Sequence, residues 1–233
     1  MAESQHPHSP TNDPRITPAM EDYLKAIYSL QMNGVPVTNQ QLADELGYSG
    51  ASITNMHKRL HDLKLLTLEP YKGVRLTPSG TAVALEVIRH HRLLELYLAQ
   101  TLGMDLDAVH EEADRLEHYV SEELESLIAK ALGFPEFDPH GDPIPSPELT
   151  IPLLEDIPLR DAVGAERMVV TRVSDRDAAI VRLLVRSGIV PGVELCGIQA
   201  DAATNSMIVT ICGGPSVVVG PESADAVRVQ SLD

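Results

Sequence analysis

The 233-residue sequence has no tryptophan, and aromatic residues make up only 3% of it. So few rings leave little with which to build stacking platforms for single-stranded nucleic acid or for sugars. Cysteine is as scarce. Cys196 and Cys212 are too few for a disulfide framework, and their apolar neighbours in sequence are read as the surroundings of inert, buried thiols. No apolar run approaches the roughly 20 residues that cross a bilayer, and the opening MAESQHPHSPTNDP has neither the basic start nor the apolar stretch of a signal peptide. A cytoplasmic protein with no membrane partner is expected. Positive charge is also short, with 18 basic residues against 34 acidic ones and a net charge of −16. That balance excludes a protein that coats DNA through bulk charge, but it leaves room for a local basic patch.

What is present is an ordinary globular composition, 43% hydrophobic, with room for one or two modest domains. Residues 1–16 are polar, rich in Pro and His, and aperiodic, which reads as a disordered tail; His6 and His8 carry little weight as ligands. From Pro18, the positions Met20, Leu24, Ile27 and Tyr28 recur at helical spacing and predict a helix ending near Asn33-Gly34. A second helix is expected from Thr38 or Asn39 to Gly47, and a third from about Ala51. The third would turn Ile53, Met56, Leu60 and Leu63 inward and Ser52, Thr54, Asn55, Lys58 and Arg59 outward. Two short helices about a Gly turn, the second with a polar outer face, make a helix-turn-helix pattern. Leu65–Glu69 and Val74–Thr77, joined by Pro70–Gly73, read as the hairpin of a wing. Between Thr38 and Gly80, five basic residues stand against four acidic ones, so this is the least acidic part of the chain.

Thr77–Gly80 opens a long helix to about Leu102, and a second long helix is expected from Leu106 or Asp107 to about Ala131. Prolines at 135, 139, 143, 145, 147, 152 and 158 then rule out a helix or central strand and predict a partly extended linker. Beyond it, short β-rich runs around one helix, roughly Asp175 to Arg186, describe a small β-barrel. The organisation expected is a tail (1–16), a winged helix-turn-helix (17–80), a helical domain (81–134), a linker (135–164) and an SH3-like domain (165–233). The fold class is mostly α with a small all-β C-terminal domain.

The stretch His110-Glu111-Glu112-Ala113-Asp114-Arg115-Leu116-Glu117-His118 carries the chemistry. At about 100° of rotation per residue on one continuous helix, His110, Asp114, Glu117 and His118 share an arc of roughly 100°. That arc borders the apolar face of Ala113, Leu116, Val120 and Leu127, where a bare charge cluster would be costly and a divalent cation would relieve the cost. His91 and Glu95 stand four residues apart on the preceding helix and share a face in the same way. Solvated acidic helices account for Glu111, Glu112, Glu122 and Glu123, but they account poorly for three histidines leaning inward. Neither zinc-protease motif is met, and there is no phosphate loop, G-x-S-x-G or Cys/His pair. An enzyme is therefore not expected; a metallohydrolase and a metal-buffering protein are the remote alternatives.

With its winged helix-turn-helix followed by R-H-H-R-L-L-E (89–95), V-H-E-E-A-D-R-L-E-H (109–118) and H-G-D-P-I-P (140–145), the sequence resembles the diphtheria toxin repressor family of metal-dependent repressors. Leu183-Leu184-x-x-x-Gly188-Ile189-x-Pro191-Gly192 is similar to the SH3-like domain of its iron-dependent members. The resemblance implies a homodimer that binds double-stranded operator DNA when loaded with Mn²⁺ or Fe²⁺, about two ions per chain, and that represses metal-uptake genes. By position, a regulatory site would take Asp22, Asp114, Glu117 and His118, and an ancillary site would take His91, Glu95 and His110. DNA contact would fall to Ser49, Ser52, Thr54, Asn55, Lys58 and Arg59. Asp22 and Asp114 stand where iron-type members place Met and Cys, and these hard oxygen donors tilt the reading toward manganese, with an iron-dependent repressor as the alternative. Lys25 stands where short manganese-type members carry a second helix-one Glu. Arg176 and Ala179 match the two ancillary ligands given by the C-terminal domain, for which Asp175 or Asp177 could substitute.

Overall fold

A computed structural model of the chain describes residues 13–31 and 35–232. The tail to residue 12 and the expected helix end at Asn33-Gly34 lie outside the described residues. The chain forms two units. Of the described residues, the first holds those up to His90 with Glu117–Ser126 and Pro145–Thr150, and the second holds His91–Leu116, Leu127–Ile144 and those from Ile151 onward.

In the first unit, α1 (Pro18–Leu30) starts at Thr17 with Pro in its first turn. It buries Met20, Tyr23, Leu24 and Ile27 against Leu42, Ile53 and Leu60 of the next two helices. α2 (Asn39–Leu46) opens on a capping box, in which the Thr38 side chain accepts from the Gln41 N–H and the Gln41 side chain accepts from the Thr38 N–H. It closes on Gly47, whose φ of 66° is the left-handed C-cap that glycine adopts without strain. Ser49 caps α3 (Gly50–Asp62), and the strands β1 (Leu66–Glu69) and β2 (Gly73–Leu76) pair antiparallel as the wing. A Cβ on Gly73 would sit 2.0 Å from the Val37 carbonyl oxygen, so glycine alone lets the wing close against Val37.

Helix α4 (Pro78–Leu102) follows and contributes residues to both units. The second long helix departs from expectation. α5 (Val109–Leu116) gives way to a single 3₁₀ turn at Glu117–Tyr119, and a new helix, α6 (Glu122–Ala131), begins after it. Ser121 starts that helix, its hydroxyl accepting from the Leu124 N–H at 3.2 Å, with Glu122 and Glu123 in the first turn. Glu122 and Glu123 are exposed, as expected of a solvated face, and they also lie at a helix N-terminus, where their charge is favourable.

The second unit is built on a six-stranded antiparallel sheet of order β3-β8-β4-β5-β6-β7, comprising Ile157–Pro158, Val227–Ser231, Arg167–Val173, Glu194–Asp201, Ser206–Ile211 and Ser216–Val219. Register shifts between Val170 and Arg172 and between Leu195 and Ile198 are bulges that curve it over a core of Val170, Leu195, Ile198, Val209 and Val229. Helices α7 (Ala178–Arg186) and α8 (Pro221–Ala226) complete the unit. The fold class is the expected one, helical with a C-terminal antiparallel β domain.

The Pro-rich stretch forms no helix, yet Asp138, His140, Gly141, Pro143 and Ile144 are buried. Asp156 anchors its far end. The carboxylate accepts from Arg172 Nε at 2.8 Å, Arg228 Nε at 2.6 Å and the Thr171 hydroxyl at 3.1 Å. The cysteines also differ from expectation. Cys196 and Cys212 form a disulfide, with a Cα–Cα distance of 5.1 Å, because β5 and β6 bring residues 16 apart face to face.

Candidate metal centre and nucleic-acid interface

The break after Leu116 decides how the expected ligands are distributed, since Glu117 and His118 leave the helical arc that His110 and Asp114 keep. In the first unit, Asp22, Glu117 and His118 bring ligand atoms within 4.8 Å of one another. His118 Nε2 lies 3.0 Å from Asp22 Oδ1 and 3.7 Å from Glu117 Oε1. On its other side, His118 Nδ1 donates to Glu21 Oε2 at 2.5 Å, which turns Nε2 toward the two carboxylates. Burial opposes a charge on this imidazole, but hydrogen bonds to Asp22 and Glu21 and the Glu117 charge outweigh it and raise its pKa to about 10. Glu117 is fully buried in its side chain, and Lys25 Nζ meets both of its oxygens at 2.8 and 2.9 Å.

In the second unit, His91, Glu95, His110 and Asp175 form another such group. His91 Nε2, His110 Nδ1 and Glu95 Oε1 are separated by 3.0, 3.1 and 3.2 Å. Atoms bound at right angles to one ion at about 2.1 Å lie about 3 Å apart, so this spacing suits three ligands on one face of a cation. Asp175 Oδ2 is 3.3 Å from His110 Nδ1, whereas Asp177 caps α7 by accepting from the N–H groups of Ala179 and Ile180. Asp114, half-exposed, stands here, 3.2 Å from His91 Nδ1 and 3.5 Å from His110 Nε2. Burial works against charge on His110, but Asp175 and Glu95 raise its pKa to about 10. Burial likewise disfavours the Glu95 carboxylate, yet the neighbouring His91 charge and hydrogen bonds from His110 and His91 hold it well below the usual carboxylate range.

Three residues that sequence reasoning did not assign join these groups. Glu21 stands beside Asp22 on α1 and carries no signal of its own in the sequence. Asp138 and His140 lay in a stretch discounted as linker, although H-G-D-P-I-P had been singled out. With Glu95 they gather within 4.8 Å, all buried, and Glu95 Oε2, Asp138 Oδ2 and His140 Nδ1 have no hydrogen-bond partner among the described residues. Such a concentration of buried carboxylate and imidazole is stable only with a compensating cation or proton, and the donor set suits a hard divalent ion.

On α3, Ser52, Thr54, Asn55, Lys58 and Arg59 are exposed, as is the cap residue Ser49, while Ile53, His57 and Leu60 face the core. Ser49 and Ser52 share a hydroxyl hydrogen bond at 2.9 Å, and Thr54 donates to the Gly50 carbonyl. If Arg59 meets a phosphate, Arg59→Ala should weaken binding to every DNA sequence and flatten the salt slope by about one. An unchanged slope places Arg59 away from the backbone.

Helix-turn-helix, wing and two His–carboxylate clusters together define a DNA-binding protein of the metal-responsive class, and comparison with known proteins agrees. Residues 15–74 match the iron dependent repressor N-terminal DNA binding domain, residues 77–146 the metal binding and dimerisation domain of iron dependent repressors, and residues 157–231 the FeoA domain. The chain is 30% identical to the iron-dependent repressor IdeR of Mycobacterium leprae, over 91% of this chain and 96% of that one. It is 28% identical to the diphtheria toxin repressor of Corynebacterium glutamicum over the same shares. Among solved structures, a manganese-dependent transcriptional repressor in complex with manganese superposes with a TM-score of 0.82 at 34% identity, covering 91% of this chain and all of that one. ScaR with bound Zn²⁺ follows at 0.78 and 27%, covering 91% and 99%. The chain belongs to the iron-dependent repressor family, whose members are transcriptional regulators. No helix among the described residues is long and apolar enough to cross a membrane.

Proposed function

We propose that this protein is a homodimeric, metal-activated repressor in the cytoplasm that binds operator DNA and controls metal-uptake genes, with about two divalent ions per chain and Mn²⁺ acting at least as well as Fe²⁺. The observation that carries it is the convergence of Asp22 on α1 with Glu117 and His118 on the turn after α5. Asp22, Glu117 and His118 would hold a divalent cation there, whose charge would offset the carboxylates and tie that turn to α1. Asp22 and Glu117 supply hard oxygens and His118 supplies its Nε2. Because α1 packs on α2 and α3 through Tyr23, Leu24 and Ile27, a fixed α1 holds the recognition helix in one position. The second group, built from His91, Glu95, His110 and Asp175 with Asp114 alongside, supports a second ion in the same chain.

The preference for Mn²⁺ rests on the absence of sulfur donors in both groups, since soft-leaning ions lose a thiolate while Mn²⁺ loses nothing. The test is a DNA-binding titration on a duplex selected from a random pool, with Mn²⁺, anaerobic Fe²⁺ and Zn²⁺ in turn. Activation by Mn²⁺ at no higher concentration than Fe²⁺ is expected; activation by Fe²⁺ alone would turn the reading to an iron-dependent repressor.

Glu21 has a defined part in this reading. By accepting from Nδ1 it sets the His118 tautomer, and such outer partners are worth about 10- to 100-fold in metal affinity. Glu21→Gln should therefore weaken Mn²⁺ binding by that range in calorimetry, and it should also lower the melting temperature of the metal-free protein, because the buried His118 imidazole loses a charged partner. An unaltered affinity removes Glu21 from the site.

A further inference from the structure

Lys25 stands out because it is a cation already seated in a cation site. It rises from α1 one turn after Glu21 and Asp22, and its ammonium lies 2.8 and 2.9 Å from the two oxygens of Glu117, a carboxylate with no exposed side-chain surface. The same Glu117 Oε1 is one of the atoms within 4.8 Å of Asp22 and His118. Both oxygens of the most deeply buried ligand of this cluster are thus engaged by the ammonium, which is itself about three-quarters buried. A buried carboxylate needs a positive partner at all times, and Lys25 is positioned to be that partner when no metal is.

We propose that Lys25 is a resident competitor for the metal, holding Glu117 in the metal-free protein and surrendering it as the ion enters, so that Lys25 sets the metal concentration at which the site fills. The inference rests on the metal-binding reading of Asp22, Glu117 and His118. Two effects act in the same direction. The ion must displace an existing charge-assisted contact, and it must approach a cluster whose negative charge Lys25 has already reduced by one. A lysine suits the task better than an arginine, because its ammonium is a compact point charge on a flexible stem that can swing away without leaving a planar fork unpaired.

The competing role is structural, in which Lys25 only orients Glu117 for the metal, and the two roles predict opposite signs. If Lys25 competes, Lys25→Met in the full-length protein should bind Mn²⁺ at least about tenfold tighter at this cluster, since one opposing charge a few ångströms away is removed. Lys25→Arg, which keeps the charge, should stay within a few-fold of wild type. Without metal, Lys25→Met should melt lower than wild type, because Glu117 then lacks its partner, and Mn²⁺ should raise its melting temperature by more than it raises that of wild type. Calorimetry with Mn²⁺ alone and parallel melting curves read both quantities. Affinity that is equal or weaker in Lys25→Met overturns the proposal. If wild-type protein binds Mn²⁺ no better than Glu117→Gln, it is the underlying metal site that fails.

Discussion

Glu117→Gln is expected to lower Mn²⁺ affinity at the α1 cluster by at least about a hundredfold and to abolish metal-dependent DNA binding. Outer partners of a metal ligand are alone worth about 10- to 100-fold, and in the proposed site Glu117 is itself a ligand, grouped with Asp22 and His118. The amide keeps the shape of the side chain and removes its charge, so the loss reports electrostatics and ligation rather than a cavity. It also leaves Lys25 without its buried carboxylate, so the metal-free variant should melt a few degrees lower, which a thermal scan separates from the binding defect. The group at His91, Glu95 and His110 keeps all of its own atoms. Calorimetry should accordingly lose one ion per chain and not every ion. Retention of wild-type stoichiometry and affinity would remove Glu117 from the site.

The second large effect is on stability. Asp156→Asn should destabilise the β unit by about 2–3 kcal/mol, below the 3–5 expected for breaking a fully buried ion pair because Arg172 keeps Asp142 at 2.9 Å and Arg228 is partly exposed. For a domain of this size that is a fall in melting temperature on the order of 10–20 °C. Asp156 also predicts a pH response of defined sign. Burial disfavours its charge, but hydrogen bonds from Arg172 and Arg228 outweigh that and lower its pKa below the usual carboxylate value. A group whose folded pKa is depressed stabilises the fold fully above its unfolded pKa, near 3.9, and that contribution is lost as the pH falls through the lower folded value. Wild-type stability should therefore decline more steeply below about pH 4 than that of Asp156→Asn. Parallel slopes would show that Asp156 does not contribute through its charge.

The winged helix-turn-helix was legible because its signals are local: Thr38 and Gln41 around an N-cap, Gly47 at a left-handed C-cap, and an apolar stripe through Ile53 and Leu60. The small β domain was legible as a class from its short β-rich runs, whereas β8 and the sheet order depend on pairing between distant strands that no local pattern encodes. Among the expected ligands, helical spacing pairs His91 with Glu95, the family resemblance adds His110, and the three stand together. The expected continuous helix behind the arc of His110, Asp114, Glu117 and His118 ends at Leu116, because the chain tightens into a 3₁₀ turn and Ser121 starts a new helix, a break that the exposed acids Glu122 and Glu123 do not mark by themselves. Glu21, Asp138 and His140 owe their placement to packing across elements far apart in sequence, and a carboxylate that orients an imidazole 97 residues away leaves no trace in spacing. The disulfide was missed for the same reason, since strand pairing and not composition sets Cys196 opposite Cys212.

The central claim is that the metal at the Asp22, Glu117 and His118 cluster and the DNA at α3 bias one conformational equilibrium. Coupling of that kind is reciprocal, so the factor by which Mn²⁺ tightens DNA binding must equal the factor by which DNA tightens Mn²⁺ binding. The decisive measurement is DNA affinity on a selected duplex, at fixed salt, with saturating Mn²⁺ and with chelator, paired with Mn²⁺ affinity measured with and without that duplex. The account predicts the same factor from both directions, at the upper end of the usual range of about 5- to 150-fold, and its loss in Glu117→Gln. Equal DNA affinity with Mn²⁺ and with chelator would contradict it.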